Sequence, residues 1–264
     1  MPALSFVIPI RDHAGVADWP AAMRNLQATA ASIAAQTSSS WRCIVVASRH
    51  SPLPHLPGKI EVHRLDLPTP APLPPLANME HRFEAIRADK GRRVLAGILS
   101  VDPDNYVMTV DYDDLVSNRL AAFAEAHPAQ PGWFVDSGYL YDGSSTLMRL
   151  GSGFDELCGT SLIIHADRLV LPPTLEAADE TYLRQWFGSH KFAKRRLAQA
   201  GTPLAPLPFP GAIYRVGHDN AVSASSAIWR QFRPRRRRVL AQLRLLAQLR
   251  LLTPKLRSEY FARP

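Results

Sequence analysis

Cysteine is nearly absent: Cys43 and Cys158 are the only two in 264 residues. Two thiols cannot build a disulfide scaffold or a cysteine-ligated zinc site, and both lie in apolar, strand-like surroundings. A reducing cytoplasm is the expected setting. No uninterrupted apolar run reaches the roughly 18 residues that a membrane-spanning helix needs. The stretch from Met1 to Ile10 has no basic region before its apolar run and no small-residue cleavage site after it, so it reads as a first core strand. Glycine is missing from the patterns that cradle phosphate. There is no Gly-x-x-x-x-Gly-Lys-Ser/Thr loop, Gly151-Ser152-Gly153 lacks the third glycine of a dinucleotide fingerprint, and no Gly-x-Ser-x-Gly elbow occurs. A calcium loop beginning at Asp111 would need glycine where Val116 stands and glutamate where Ala122 stands.

Positive charge is in excess only in the last segment. The net charge is +8, yet residues 230–264 carry eleven Lys or Arg against one acid, Glu259, which leaves the first 229 residues slightly negative. The body therefore offers no basic groove, and nucleic acid is an unlikely partner.

What is present is an alternation of short apolar runs with helical patterns, the mark of α/β layering with a mainly parallel sheet. Strands are expected at Leu4 to Ile10, Arg42 to Ala47, Ile60 to Leu65 and Tyr106 to Val110. Helices are expected at Trp19 to Gln36, at Phe83 to Ser100 with a break near Gly91, and at Asn118 to Ala126 capped by Ser117. Five prolines between Asp66 and Pro75 make a stiff loop. Further on, Trp133 to Tyr139 pairs with Leu147 to Leu150, Thr160 to Ile164 is a buried strand, Thr181 to Ala200 is one helix, and Ala212 to Val216 is a short strand. From Trp229 onward the sequence reads as a basic helix containing a six-residue Leu/Arg repeat. The organisation is a body over 1–228, with halves 1–116 and 117–228, and a tail over 229–264.

The chemistry concentrates in Asp111-Tyr112-Asp113-Asp114, directly after a core strand. Asp111 and Asp113 are two apart in extended chain and face one side, which suits a hard cation that keeps positions for phosphate oxygens. Asp114 either assists or caps the following helix.

The sequence resembles the family 2 glycosyltransferases of GT-A fold. The resemblance is carried by Ser5-Phe6-Val7-Ile8-Pro9-Ile10, Asp89-Lys90-Gly91-Arg92-Arg93, Met108 to Asp114, Cys158-Gly159-Thr160-Ser161 and Tyr214-Arg215-Val216-Gly217-His218, in that order. It spans roughly residues 3–223. It implies a Rossmann-like, mixed but mainly parallel sheet that binds a nucleotide-sugar donor, commonly a UDP-sugar, and inverting transfer to a saccharide or lipid-linked acceptor. Pro9, Asp89, Lys90, Asp111 and His190 then line the donor. Asp113, with Asp111 and His218, holds Mn²⁺ or Mg²⁺ against the diphosphate. The base that deprotonates the acceptor is expected at Asp179, with Glu180 and Asp155 as alternatives; the other role of Asp179 and Glu180 is helix N-terminal charge, and that of Asp155 is to bind acceptor hydroxyls. The pair of acids that many members carry after the second strand is replaced here by Ala47-Ser48. Two rival functions are a nucleotidyltransferase, which would release pyrophosphate, and an inactive membrane-peripheral binding protein. The five arginines from Arg233 to Arg238 and the leucine repeat suit an anionic lipid surface on the cytoplasmic side, or else a helix packed on the body.

Overall fold

A computed structural model describes residues 3–67, 79–102, 104–216 and 247–262. Leu4–Pro9 (β1) and Trp41–Ser48 (β2) are buried over almost their whole length, as strands inside a parallel sheet covered on both faces must be. Between them Trp19–Ala34 (α1) begins at Asp18, whose carboxylate accepts from the N–H of Ala21, with Pro20 in the first turn. Ile60–Leu65 (β3) extends the sheet parallel to β2. The chain then returns through Met79–Ile98 (α2) so that Tyr106–Thr109 (β4) pairs parallel with β1 on its other side.

The second half supplies Leu115–Val116 (β5), Leu120–Glu125 (α3), Gly132–Phe134 (β6), Gly138–Tyr141 (β7), Thr146–Leu150 (β8), Leu162–His165 (β9), Glu180–Trp186 (α4), His190–Gln199 (α5), Ala205–Pro206 (β10), Ala212–Arg215 (β11), Leu249–Leu251 (β12) and Pro254–Tyr260 (α6). Seven strands form one sheet in the order β10-β6-β9-β4-β1-β2-β3, with β9 antiparallel to both neighbours. The second sheet runs β12-β8-β7-β11-β5. Phe6, Ile8, Leu26, Ile33 and Leu120 join one face of the large sheet to α1 and α3. Val7, Val46, Leu95, Leu183 and Leu197 join the other to α2, α4 and α5. Each such fully buried side chain contributes about 1.5–3 kcal/mol. The mixed, mainly parallel sheet flanked by helices matches the expected fold class.

Several local expectations change. Helix α2 is continuous through Gly91, which is there for close approach: a Cβ on it would lie 2.4 Å from the carbonyl oxygen of Leu183 in α4. The long helix expected from Thr181 is two helices, interrupted at Phe187–Ser189, where Gly188 abuts the backbone of Arg87. Trp133 and Phe134 join β9 in the large sheet, so the partner of β8 is β7 instead. Helix α3 starts later than expected, after Arg119, which makes no side-chain cap; the Ser117 hydroxyl accepts from the Arg119 N–H at 3.3 Å and donates to the Glu259 carboxylate at 2.7 Å. Both cysteines are buried free thiols, but Cys158 sits in a turn, not a strand.

The described end of the tail is not a basic amphipathic helix. Leu249–Leu251 pairs antiparallel with β8, and α6 follows a Thr253 cap and packs on the second sheet. Tyr260 is 1% exposed, stacks edge-on against Tyr139 and donates its hydroxyl to the carbonyl of Pro210 at 2.5 Å. Residues 217–246, including His218 and Arg233 to Arg238, lie outside the described residues.

Candidate functional site

Strands run outward from β1 to β2 and β3 on one side and to β4 on the other, so the chain reverses its lateral direction between β1 and β4. In open α/β sheets ligands lie beyond the carboxyl ends of the strands at such a reversal. Pro9, buried, ends β1 there, and Asp111 to Asp114 follow β4.

The acidic turn is pinned from three directions. The Asp114 N–H donates to the carbonyl of Asp111 at 3.0 Å, closing the turn. From α1, the Thr29 hydroxyl lies 2.8 Å from the carbonyl of Tyr112 and 2.7 Å from that of Asp114. From the loop before β9, Thr160 accepts from the Asp111 N–H at 2.9 Å and donates to the Asp114 carboxylate at 2.6 Å. Asp114 is fully buried and also accepts from the Cys158 thiol at 3.1 Å. Burial, with Asp113 and Asp111 close by, holds its pKa well above the usual carboxylate range. Asp114 thus neither faces a ligand nor caps a helix; it anchors the turn. Cys158 and Thr160 belong to the segment quoted for the resemblance, but their anchoring role carries no sequence signal.

Asp111 and Asp113 are half-buried. Lys90, reaching across from α2, places its Nζ 2.5 Å from Asp111 Oδ1, with the two side chains 25% and 29% exposed. Burial works to lower the Lys90 pKa, but Asp111, and behind it Asp114 and Asp113, outweigh it and the net direction is up. Gly159 closes the space behind: a Cβ there would stand 2.5 Å from Asp111 Oδ2 and 3.1 Å from Lys90 Nζ.

A cavity opens beside this pair, lined by Lys90, Thr109, Gly159 and His190 and floored by apolar residues of β4, β9 and α5. His190 begins α5, and its Nε2 is buried with no hydrogen-bond partner. Burial and the Lys90 charge push its pKa down to about 4, so the imidazole is neutral at pH 7.

Asp89 precedes Lys90 on α2, and both of its oxygens accept from the fully buried Arg93 guanidinium, at 2.9 and 3.0 Å. Arg93 donates further to Ser48 Oγ at 3.1 Å. Ser48 in turn helps hold the Asp12 pKa down, against burial acting to raise it. An Asp12–Ser48–Arg93–Asp89 network therefore closes the ends of β1 and β2, where the Ala47-Ser48 replacement falls. Sequence reading missed Arg93 because an arginine in a charged helix looks exposed.

The three expected bases are spread out. Asp179 is exposed and N-caps α4 through Oδ1, accepting from the Tyr182 N–H at 2.8 Å. Glu180 is exposed and pairs with Arg92 at 2.7 Å. Asp155 is buried and pairs with Lys194 at 2.6 Å, and it lies close enough to His190 to act on its charge.

Among the described residues no three His, Cys, Asp or Glu side chains converge as a metal cage. The carboxylates of Asp111 and Asp113 still fit a cation of the Mg²⁺ type, which takes one or two carboxylates and completes its shell with phosphate and water. The crowding of Asp111 and Asp113 around Asp114 is what such a charge would relieve.

The fold and site together define a Rossmann-like α/β protein with an acidic turn, paired to a lysine of α2, at the reversal of its sheet. Compared with solved structures, the chain is similar to the glycosyltransferase GlyE of Streptococcus pneumoniae TIGR4, with a TM-score of 0.35 and 10% identity over 95% of this chain. It spans 66% of the length of that structure. No family model matches the sequence, and no curated protein matches it. Among the described residues no helix is long and apolar enough to cross a membrane.

Proposed function

We propose that this chain is a glycosyltransferase that moves a sugar, with inversion, from a nucleotide-sugar donor to a saccharide or lipid-linked acceptor. The observation that carries the reading is the Lys90–Asp111 pair with Asp113, set at the carboxyl ends of β1 and β4 where the sheet reverses. Asp111 and Asp113 would hold Mg²⁺ or Mn²⁺ against the donor diphosphate. The cation would supply positive charge where the leaving diphosphate gains negative charge.

Around that point the chain's own groups divide the work. Lys90 offers an ammonium to a phosphate oxygen, and neutral His190 offers an unengaged ring nitrogen beside it. Thr160 and Asp114 fix the turn, so the site is organised before donor arrives. For the base we retain Asp179: Glu180 and Asp155 are each engaged by a cation, whereas Asp179 uses Oδ1 for its helix. It would take the acceptor hydroxyl's proton as that oxygen attacks the anomeric carbon from the face opposite the diphosphate.

The test is release of nucleoside diphosphate from UDP-, GDP- and dTDP-sugars, with and without Mn²⁺, by the wild type and Asp113→Ala. Turnover of one donor, lost in the variant, supports the reading. Pyrophosphate release from a nucleoside triphosphate would make the chain a nucleotidyltransferase instead. Asp179→Asn should abolish transfer and leave donor binding intact, and wild-type rates in it would move the base elsewhere.

A further inference from the structure

Asp111 is held on several sides. Its backbone N–H is held by Thr160, and Gly159 packs against its Oδ2 so closely that not even a methyl group fits between them. Its Oδ1 is already taken, at 2.5 Å, by the ammonium of Lys90. An ammonium held this close makes the oxygen a poor ligand for a second cation, and the partner able to move is Lys90, at the end of a four-carbon stem on α2. Once displaced, Lys90 would stand beside a divalent ion of like sign, with a neutral His190 that offers it no charge. An anion arriving in the cavity lined by Lys90 and His190 would remove that repulsion.

We propose that Lys90 competes with the divalent cation for Asp111, and that a nucleoside diphosphate ends the competition by drawing Lys90 onto its phosphates. Lys90 is thus a positioning residue that keeps the cation site closed until the nucleotide is present. This rests on the reading of the site given above. It adds that nucleotide and cation are coupled through one lysine as well as through direct coordination.

The experiment titrates Mn²⁺ into the full chain, followed by the Mn²⁺ paramagnetic resonance signal, for the wild type and Lys90→Gln. UDP, GDP and dTDP are titrated separately by calorimetry without metal. Competition requires two changes of opposite sign. Lys90→Gln should bind Mn²⁺ alone at least tenfold more tightly than the wild type does, and should bind the nucleotide alone at least tenfold more weakly. A lysine that merely holds the fold together would, on removal, weaken both. Equal or weaker Mn²⁺ binding in folded Lys90→Gln overturns the competition. If neither Mn²⁺ nor any of the three nucleotides binds either chain, the reading of the site falls as well. Lys90→Met, which keeps the aliphatic stem, takes the place of the Gln variant if that one fails to fold, and Lys90→Arg should restore wild-type behaviour in both titrations.

Discussion

Removing the buried guanidinium of Arg93 should be among the most damaging single changes outside the apolar core. Arg93 has no exposed surface, grips both oxygens of Asp89 and reaches Ser48, while the Asp89 side chain is only 13% exposed. Arg93→Met keeps much of the aliphatic bulk but leaves Asp89 as a mostly buried carboxylate without its counter-charge. Breaking such a pair from one side costs about 3–5 kcal/mol. With a urea dependence of about 3 kcal/mol per molar, at the upper end for single domains, the unfolding midpoint should fall by roughly 1–1.7 M. Urea titrations followed by far-ultraviolet circular dichroism and by tryptophan fluorescence measure it. The double change Arg93→Met with Asp89→Leu should recover most of the loss, because an ion pair exchanged whole for apolar groups is often close to neutral. A fall below about 0.3 M in the single variant, or no recovery in the double one, would refute the view that this pair carries a buried charge balance.

Thr160→Val removes one hydroxyl that serves both the Asp111 N–H and the Asp114 carboxylate, so it should cost about 1–3 kcal/mol for each group left without its partner; a thermal melt checks this. Stability should fall as pH drops from about 6.5 toward 4, because the unfolded chain takes up a proton at its histidine before the folded one does at His190. His190→Gln should flatten that part of the curve, read from urea midpoints at several pH values. Tyr260→Ala should destabilise by about 3–5 kcal/mol, as for other large buried aromatics, and a surface-like effect under about 1 kcal/mol would mean that α6 is not docked as described.

The large sheet was legible because its central strands are continuous apolar runs, and a run such as Leu4 to Pro9 has few other places to go than a doubly covered strand. The position of the acidic turn was legible for the same reason: it follows Val110, which ends the apolar run that contains β4. The partners of that turn were not. Lys90 lies 21 residues before Asp111 and Thr160 lies 49 after it, and no local pattern announces either contact. Gly91 misled because glycine inside a helical pattern usually weakens it, whereas here the absence of a side chain is what lets α4 seat on α2. The tail misled differently. Leu249-Arg250-Leu251 alternates with the period of a strand, but inside a longer leucine repeat that alternation is hidden, and only an open edge at β8 selects it.

That edge pairing changes what the end of the described chain does. With β12 laid on β8, α6 is tied back to the start of α3 and to the loop before β11: the Ser117 hydroxyl donates to the Glu259 carboxylate, the Asn118 N–H donates to the Glu259 carbonyl, and the Tyr260 hydroxyl donates to the carbonyl of Pro210. The last strand and helix thus act as a clasp across the second sheet, and loosening β12 would slacken the loop that leads into α3 as well.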